Sequence, residues 1–387
     1  NTYFETGWDV EVITNKASSL SQKVDDAWVN QYYSQYPNNI TLTWLFGVIY
    51  KLNRAAGIFN QDNSVMALIV IQCLVSSMSA FLIYKVVHNI SDSPTVSFIA
   101  FVIYILFTGT SPWLFIPYSD SMGLIFPVLS IRLYQHVKFK QYPYWGCAML
   151  AFVGFWGYKI KPQTIIVFIA IIIVEISKLH LVQIERTRLK LIAKQVFVAT
   201  ASIIICIGIN TQIILPMSQL EIDKNKEFTW SHYFMMGLNS QTNGGYLESD
   251  NQFSLSFATI DERQRANLNV AKQRLVDYGT LGVLKHTVQK LIGVYGDSTF
   301  GWGLEGNFYR KIPEPVNSRV SPFLRSFFYP DGSFNTIYKT FRQIIWITLL
   351  FGCLGITLFL KKVIPSSIAV IALALIGLTL FEVLFEM

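Results

Sequence analysis

The chain has 387 residues, with 31 Lys and Arg against 24 Asp and Glu, a formal charge of +7. Only 14% of residues are charged and 52% are apolar, whereas an average soluble domain is about one quarter charged. With a mean hydropathy of +0.40, this argues against a soluble globular enzyme and excludes a disordered chain, a coiled coil and a disulfide scaffold. What remains is an all-α, polytopic membrane protein with a sizeable water-facing part.

In chain order, the first 36 residues are polar, rich in acids and amides. Residues 38–57 are apolar but carry Lys51 and Arg54 in their second half. Apolar runs follow at 64–84, 95–110, 122–134, 144–158, 164–177 and 192–215, then at 344–360 and 366–387. A crossing needs about 20 apolar residues, so the shorter runs must borrow their flanks. Lys and Arg concentrate around 178–194, 132–140 and 361–362, which the positive-inside rule assigns to the cytoplasm. Alternation then puts 112–121, 158–162 and 216–338 outside, together with both ends of 38–57. That segment is therefore expected to lie in the outer interface.

The expected organisation is a first extracytoplasmic loop with its interfacial helix at 1–62 and a bundle of about six spans at 63–215. An extracytoplasmic loop domain at 216–338 and truncated C-terminal spans at 339–387 complete it. Asn at position 1 and an apolar end read as a piece of a longer chain. Within the long loop, Thr259-Ile-Asp-Glu262 is a capping box that opens a helix expected to stop at Gly279. A second helix is expected to run over 281–294. Cys73, Cys147, Cys206 and Cys353 all fall in apolar runs and offer neither a disulfide framework nor metal spacing.

The spans hold almost no ionisable groups: Glu175 sits near an inner end, Glu382 and Glu386 near an outer one. Coupled transporters usually carry carboxylates, His or Lys near midplane, so a transporter or flippase of lipid-linked glycans is the weaker alternative. A non-catalytic envelope scaffold is another. The polar content collects instead on the outer face. Asp9, after Gly7-Trp8, reads as a base for an acceptor hydroxyl or as an exposed loop acid. Asp120, in Pro117-Tyr-Ser-Asp-Ser-Met122, reads as a helix cap or as a ligand for acceptor or metal. Lys159 and Lys161, in Gly157-Tyr-Lys-Ile-Lys-Pro162, suit a lipid-linked phosphate or snorkel to headgroups. Trp230-Ser-His-Tyr-Phe-Met-Met-Gly-Leu-Asn239, Gly244-Gly-Tyr-Leu-Glu-Ser-Asp250 and Tyr295-Gly-Asp-Ser-Thr-Phe-Gly-Trp302 combine aromatics, amides and acids as sugar sites do. His232 alone reads as a structural histidine. No Walker loop or dinucleotide fingerprint is present. The +7 charge does not imply nucleic acid, because five basic residues share one inner loop.

Together these segments resemble the GT-C superfamily of integral-membrane glycosyltransferases. The relatives in view are the protein O-mannosyltransferases and aminoarabinose transferases, in particular Gram-positive members. The resemblance rests on four features in order along nearly the whole chain. These are Asp9 ahead of Tyr36-Pro-Asn-Asn39, Asp120 at the next outer turn, Lys159 and Lys161 after a short span, and the loop opening at Trp230. The end, Phe381-Glu-Val-Leu-Phe-Glu386, is similar to the start of a family segment. The resemblance implies a GT-C-like bundle in the cell membrane with its active site on the extracytoplasmic face. It implies transfer of a sugar from undecaprenyl phosphate to an extracytoplasmic glycan, lipid or protein acceptor, with inversion. Asp9 would be the base. Asp120, Lys159, Lys161, Trp230, His232, Tyr246 and Glu386 would bind substrate. Some relatives carry two adjacent acids at the base position, whereas Trp8-Asp9-Val10 has one, which leaves dependence on Mg or Mn open.

Overall fold

The computed structural model describes residues 9–20, 27–58, 64–138, 143–180, 186–303, 319–359 and 364–385, and among them there are helices and turns but no strand. The chain begins with α1 (Asp9–Ser19), α2 (Ala27–Gln35) and α3 (Asn39–Ala56). The apolar runs form α4 (Ser64–Ser91), α5 (Pro94–Tyr104), α6 (Ser119–Gly123), α7 (Ile125–Lys138), α8 (Pro143–Ile160), α9 (Ile165–His180) and α10 (Arg186–Ile209). Then come α11 (Leu215–Ser218), α12 (Trp230–Gly237), α13 (Glu248–Leu255), α14 (Ile260–Tyr295) and α15 (Val320–Phe328). The chain closes with α16 (Asn335–Phe359) and α17 (Ser366–Leu384).

Among the described residues, four helices are long and apolar enough to cross a membrane: Val65–Ser91, Leu189–Ser218, Asn335–Gly355 and Ser366–Leu384. Pro94–Gly109 is a shorter apolar helix. Their surfaces invert the usual rule. Phe197, Ile204 and Ile205 on α10 are 73%, 63% and 63% exposed, which hydrocarbon tolerates and water does not. Within the described residues, each apolar run expected to be a span is largely helical.

Local chemistry sets the ends. Ser93 caps α5 by accepting from the Val96 N–H at 3.4 Å, with Pro94 in the first turn, where its missing N–H costs nothing. Both α5 and α10 then loosen into π-helical turns, Ile105–Gly109 and Asn210–Ile214. The capping box of Thr259 and Glu262 is formed at the start of α14. Gly279, at φ 56° and ψ 179°, breaks that helix where the stop was expected, in a region open essentially to glycine alone.

Two clusters hold the bundle. Ile13, Leu42, Phe46, Tyr50, Leu68 and Ile160 join α1, α3, α4 and α8. Tyr134, Leu150, Val167, Ile171 and Val370 join α7, α8, α9 and α17. The helix expected in the interface, α3, packs one face into the first cluster and turns Lys51 and Leu52 outward. Its Arg54 donates to the Ser18 carbonyl of α1 at 3.0 Å. A Cβ on Gly47 would fall 2.5 Å from Leu20 Cδ1 and 3.3 Å from the Ala17 carbonyl of α1, so a larger residue here would press on the end of α1.

Candidate functional site

The site starts from one buried amide. Gln72, in the middle of α4 and fully buried, donates from Nε2 to the carbonyls of Leu114 (2.7 Å) and Ile116 (2.8 Å). A lone amide inside an apolar helix must find partners, and these fix the 3-10 turn Pro112–Phe115. Ser121 Oγ donates to the Trp113 carbonyl at 3.1 Å, and Trp113 Nε1 donates to the Phe300 carbonyl at 2.8 Å. The connection between α5 and α6 is thereby tied to the bundle on one side and to the end of α14 on the other.

This connection presents Tyr118 and Asp120. Asp120 was expected to cap a helix. It lies in the first turn of α6, but the cap position is Tyr118, which makes no side-chain cap bond. Asp120 instead pairs with Lys161 at 2.7 Å. Tyr118 Oη donates to Asp9 Oδ2 at 2.9 Å, across the start of α1. Burial, then the charges of Asp9 and Asp120, hold the Tyr118 phenol far above its usual range. Tyr32 is raised in the same way, by burial and then by the charge of Asp9. Asn39 Nδ2 donates to the Tyr32 hydroxyl at 2.7 Å. Asp9 is thus an acceptor held by the Tyr118 phenol, which stays protonated, with Tyr32 in electrostatic reach.

A cavity of about 570 Å³ opens here. Tyr118, Asp120 and Ser121 line one part of it, and Val10, Phe107 and Phe300 line another. Behind Phe107 lies the fully buried Arg342 of α16. It donates to the carbonyls of Leu106 (2.6 Å), Phe107 (3.2 Å) and Ser298 (2.9 Å). The first two belong to the π-helical turn, whose register leaves carbonyls to be satisfied from outside the helix. The guanidinium also lies over the Phe107 ring, 5.0 Å from its centroid.

The two lysines of the Gly157–Pro162 segment diverge. Lys161 joins Asp120, while Lys159 lies 5.9 Å from the ring centroids of both Phe155 and Tyr158. Glu382, near the end of α17, stands within electrostatic reach of Lys161, Lys290 and Asp120. The α12 residues fall elsewhere. Trp230 is 53% exposed beside Phe234, and Tyr246 is exposed and donates to Glu248. His232 is fully buried, stacked on Phe228 at 4.0 Å, with Nδ1 on Ser254 Oγ at 2.7 Å and Nε2 without a partner. Burial, helped by Arg263 and opposed by Asp250, lowers its pKa to about 4, so it is a neutral structural ring. From the same helix Tyr233 is the residue in electrostatic reach of Tyr118. Glu386 lies outside the described residues.

A family model described as "conserved hypothetical integral membrane protein" matches residues 1–387. The chain belongs to that family. Comparison with curated proteins and with solved structures returned no match. Family membership and the four apolar helices establish an integral membrane protein, and its chemistry has to be read from the site.

As for a metal, no group of three or more His, Cys, Asp or Glu among the described residues is placed to share one ion. Asp120 pairs with Lys161 through one of its two oxygens. Sequence reasoning reached Asp9, Asp120 and Lys161 but missed Tyr118, Tyr32, Gln72 and Arg342. Gln72 carried a signal, being the one amide in the apolar run around it. Tyr118 is two residues from Asp120 and offered no signal of its own.

Proposed function

We propose that this protein transfers a sugar from a polyprenyl-phosphate carrier to a hydroxyl acceptor, with inversion, on the extracytoplasmic side of the membrane. One observation carries the reading: the Asp9 carboxylate accepts from the hydroxyl of Tyr118, and Tyr118 lines a largely apolar cavity together with Asp120, the partner of Lys161. The acceptor oxygen bonds to the anomeric carbon as Asp9 takes its proton. The bond from that carbon to the carrier's phosphate oxygen breaks, and the electron pair leaves with the phosphate. Positioned bases contribute about 10²–10⁴-fold to such steps.

Lys161 supplies the charge for the departing phosphate. It is now paired to Asp120, whose side chain is 60% exposed. Exchanging that partner for a phosphate costs little, since half-exposed pairs are worth about 0–1 kcal/mol. Tyr118, kept as a neutral donor, aims the carboxylate without competing for the proton. The apolar walls formed by Val10, Phe107 and Phe300 suit the first isoprene units of a carrier.

The test uses the full-length protein in detergent with a panel of radiolabelled polyprenyl-phosphate sugars. Release of sugar from one donor is expected, and Asp9→Asn is expected to slow it by about 10²–10⁴-fold without changing elution or melting. Undiminished transfer by Asp9→Asn would remove the base and the reading with it.

A further inference from the structure

The turn 297–303 serves two cavities. Phe300 lines the first, while Asp297, Ser298 and Thr299 line a second of about 360 Å³ together with Lys339, Thr340 and Gln343 of α16. Several of these groups are spent on the turn itself. Asp297 accepts from the Thr299 N–H at 2.9 Å, the Thr299 hydroxyl, and the Gly301 N–H at 3.3 Å. Gln343 accepts from the Ser298 N–H at 2.9 Å and donates to the Gly296 carbonyl at 3.0 Å.

What is left over is of one kind. Ser298 is 1% exposed, and its hydroxyl has no hydrogen-bond partner. A buried unpaired hydroxyl costs stability and calls for a ligand or another explanation. Lys339 has no ion pair among the described residues, and Thr340 adds a second hydroxyl. Two hydroxyls and an ammonium are a donor set for an oxyanion, and Lys339 offsets the charge of the neighbouring Asp297.

The surface leading away from the cavity is the second observation. Ile344 lines the cavity and belongs to an exposed stripe of α16: Ile337 68%, Phe341 54%, Ile344 61%, Phe351 69% and Leu354 65%. Steps of three, four and seven residues put these on one helix face. From Ile344 to Leu354 the stripe runs about 15 Å, the depth of one hydrocarbon leaflet.

We propose that this cavity binds the phosphate of a lipid, with its oxygens on Ser298, Lys339 and Thr340 and its chains along the α16 stripe. The site is separate from the cavity lined by Tyr118 and Asp120 and does not rest on the transferase reading. Two sources share this chemistry, an anionic phospholipid of the bilayer and a polyprenyl phosphate.

The full chain in neutral detergent, titrated by native mass spectrometry and thermal unfolding, tests it. Phosphatidylglycerol is expected to bind and raise Tm, and diacylglycerol with the same chains is not. Lys339→Gln is expected to weaken phosphatidylglycerol about tenfold. Ser298→Ala removes an unpaired buried hydroxyl, so the lipid-free protein should melt no lower than wild type while the lipid-induced rise shrinks. Undecaprenyl phosphate is run beside it. Whichever phosphate-bearing lipid binds more tightly names the source, and Lys339→Gln should weaken both. Equal binding of phosphatidylglycerol and diacylglycerol overturns the proposal, as does wild-type binding by both variants.

Discussion

Two ion pairs of nearly equal length do opposite work. Arg274 and Asp250 meet at 2.6 Å and Lys161 and Asp120 at 2.7 Å. The first is closed. Asp250 is 8% exposed, takes both nitrogens of the Arg274 fork and accepts from Asn239 at 2.9 Å. Arg274 also donates to the Met235 carbonyl at 2.6 Å. The second pair is open, with Asp120 60% exposed at the wall of a cavity. Distance does not separate scaffold from site here. The number of bonds still available does, because a carboxylate with spare acceptors and a lysine with spare donors can take a ligand at little cost.

The comparison can be broken most forcefully at the closed pair. Arg274→Met leaves the Asp250 carboxylate buried without its cation and is expected to cost about 3 kcal/mol, seen as a lower unfolding midpoint in detergent. A shift no larger than that of a surface variant would show that Asp250 is not held as described. An effect of similar size is expected on acidification. His232 has a folded pKa of about 4, below its usual value near 6.5. The unfolded chain therefore binds the extra proton first. Stability is full above about pH 6.5 and is lost as pH falls toward 4, by on the order of 3 kcal/mol. His232→Gln should flatten melting against pH across that window, and an unchanged slope would assign it to other groups. The smallest stability change belongs to the open pair. Lys161→Met is expected to move stability by less than about 1 kcal/mol while reducing sugar release at least tenfold, roughly the worth of one charged contact to the leaving group. A large loss of stability would make the open pair a second scaffold.

The helices were legible because apolar runs of this length have few other uses. Thr259, Glu262 and Gly279 announced the two halves of α14 by capping chemistry and by a backbone only glycine adopts. Alternation and charge placed α3 in an interface, yet the sequence did not show how α1 would cover its Ile40–Tyr50 face. That contact brings together Gly47 and Leu20, which carry no local pattern. At the candidate site the charged residues stood out against a nearly uncharged bundle, whereas the residues that aim them did not. Tyr118, Tyr32 and Arg342 act through partners far away in the chain, such as Asp9 for Tyr118 and Ser298 for Arg342. Only folding brings those partners into range. Lys159 and Lys161 show the reverse error: two residues apart in sequence, they point to different neighbours.

The break at Gly279 also has a metric meaning. In an unbroken helix Arg274 and Lys290 would stand about 24 Å apart along the axis. Yet Arg274 reaches the carbonyl of Met235, while His286 (2.9 Å) and Lys290 (3.1 Å) reach that of Gly237, two residues further along α12. The two halves of α14 must therefore close on α12 like the jaws of a clamp. Basic side chains from both halves meet the C-terminal carbonyls of α12, where the helix dipole favours positive charge. Lys290 continues to the Phe385 carbonyl at 2.5 Å, so one glycine's backbone sets where the end of α17 is anchored.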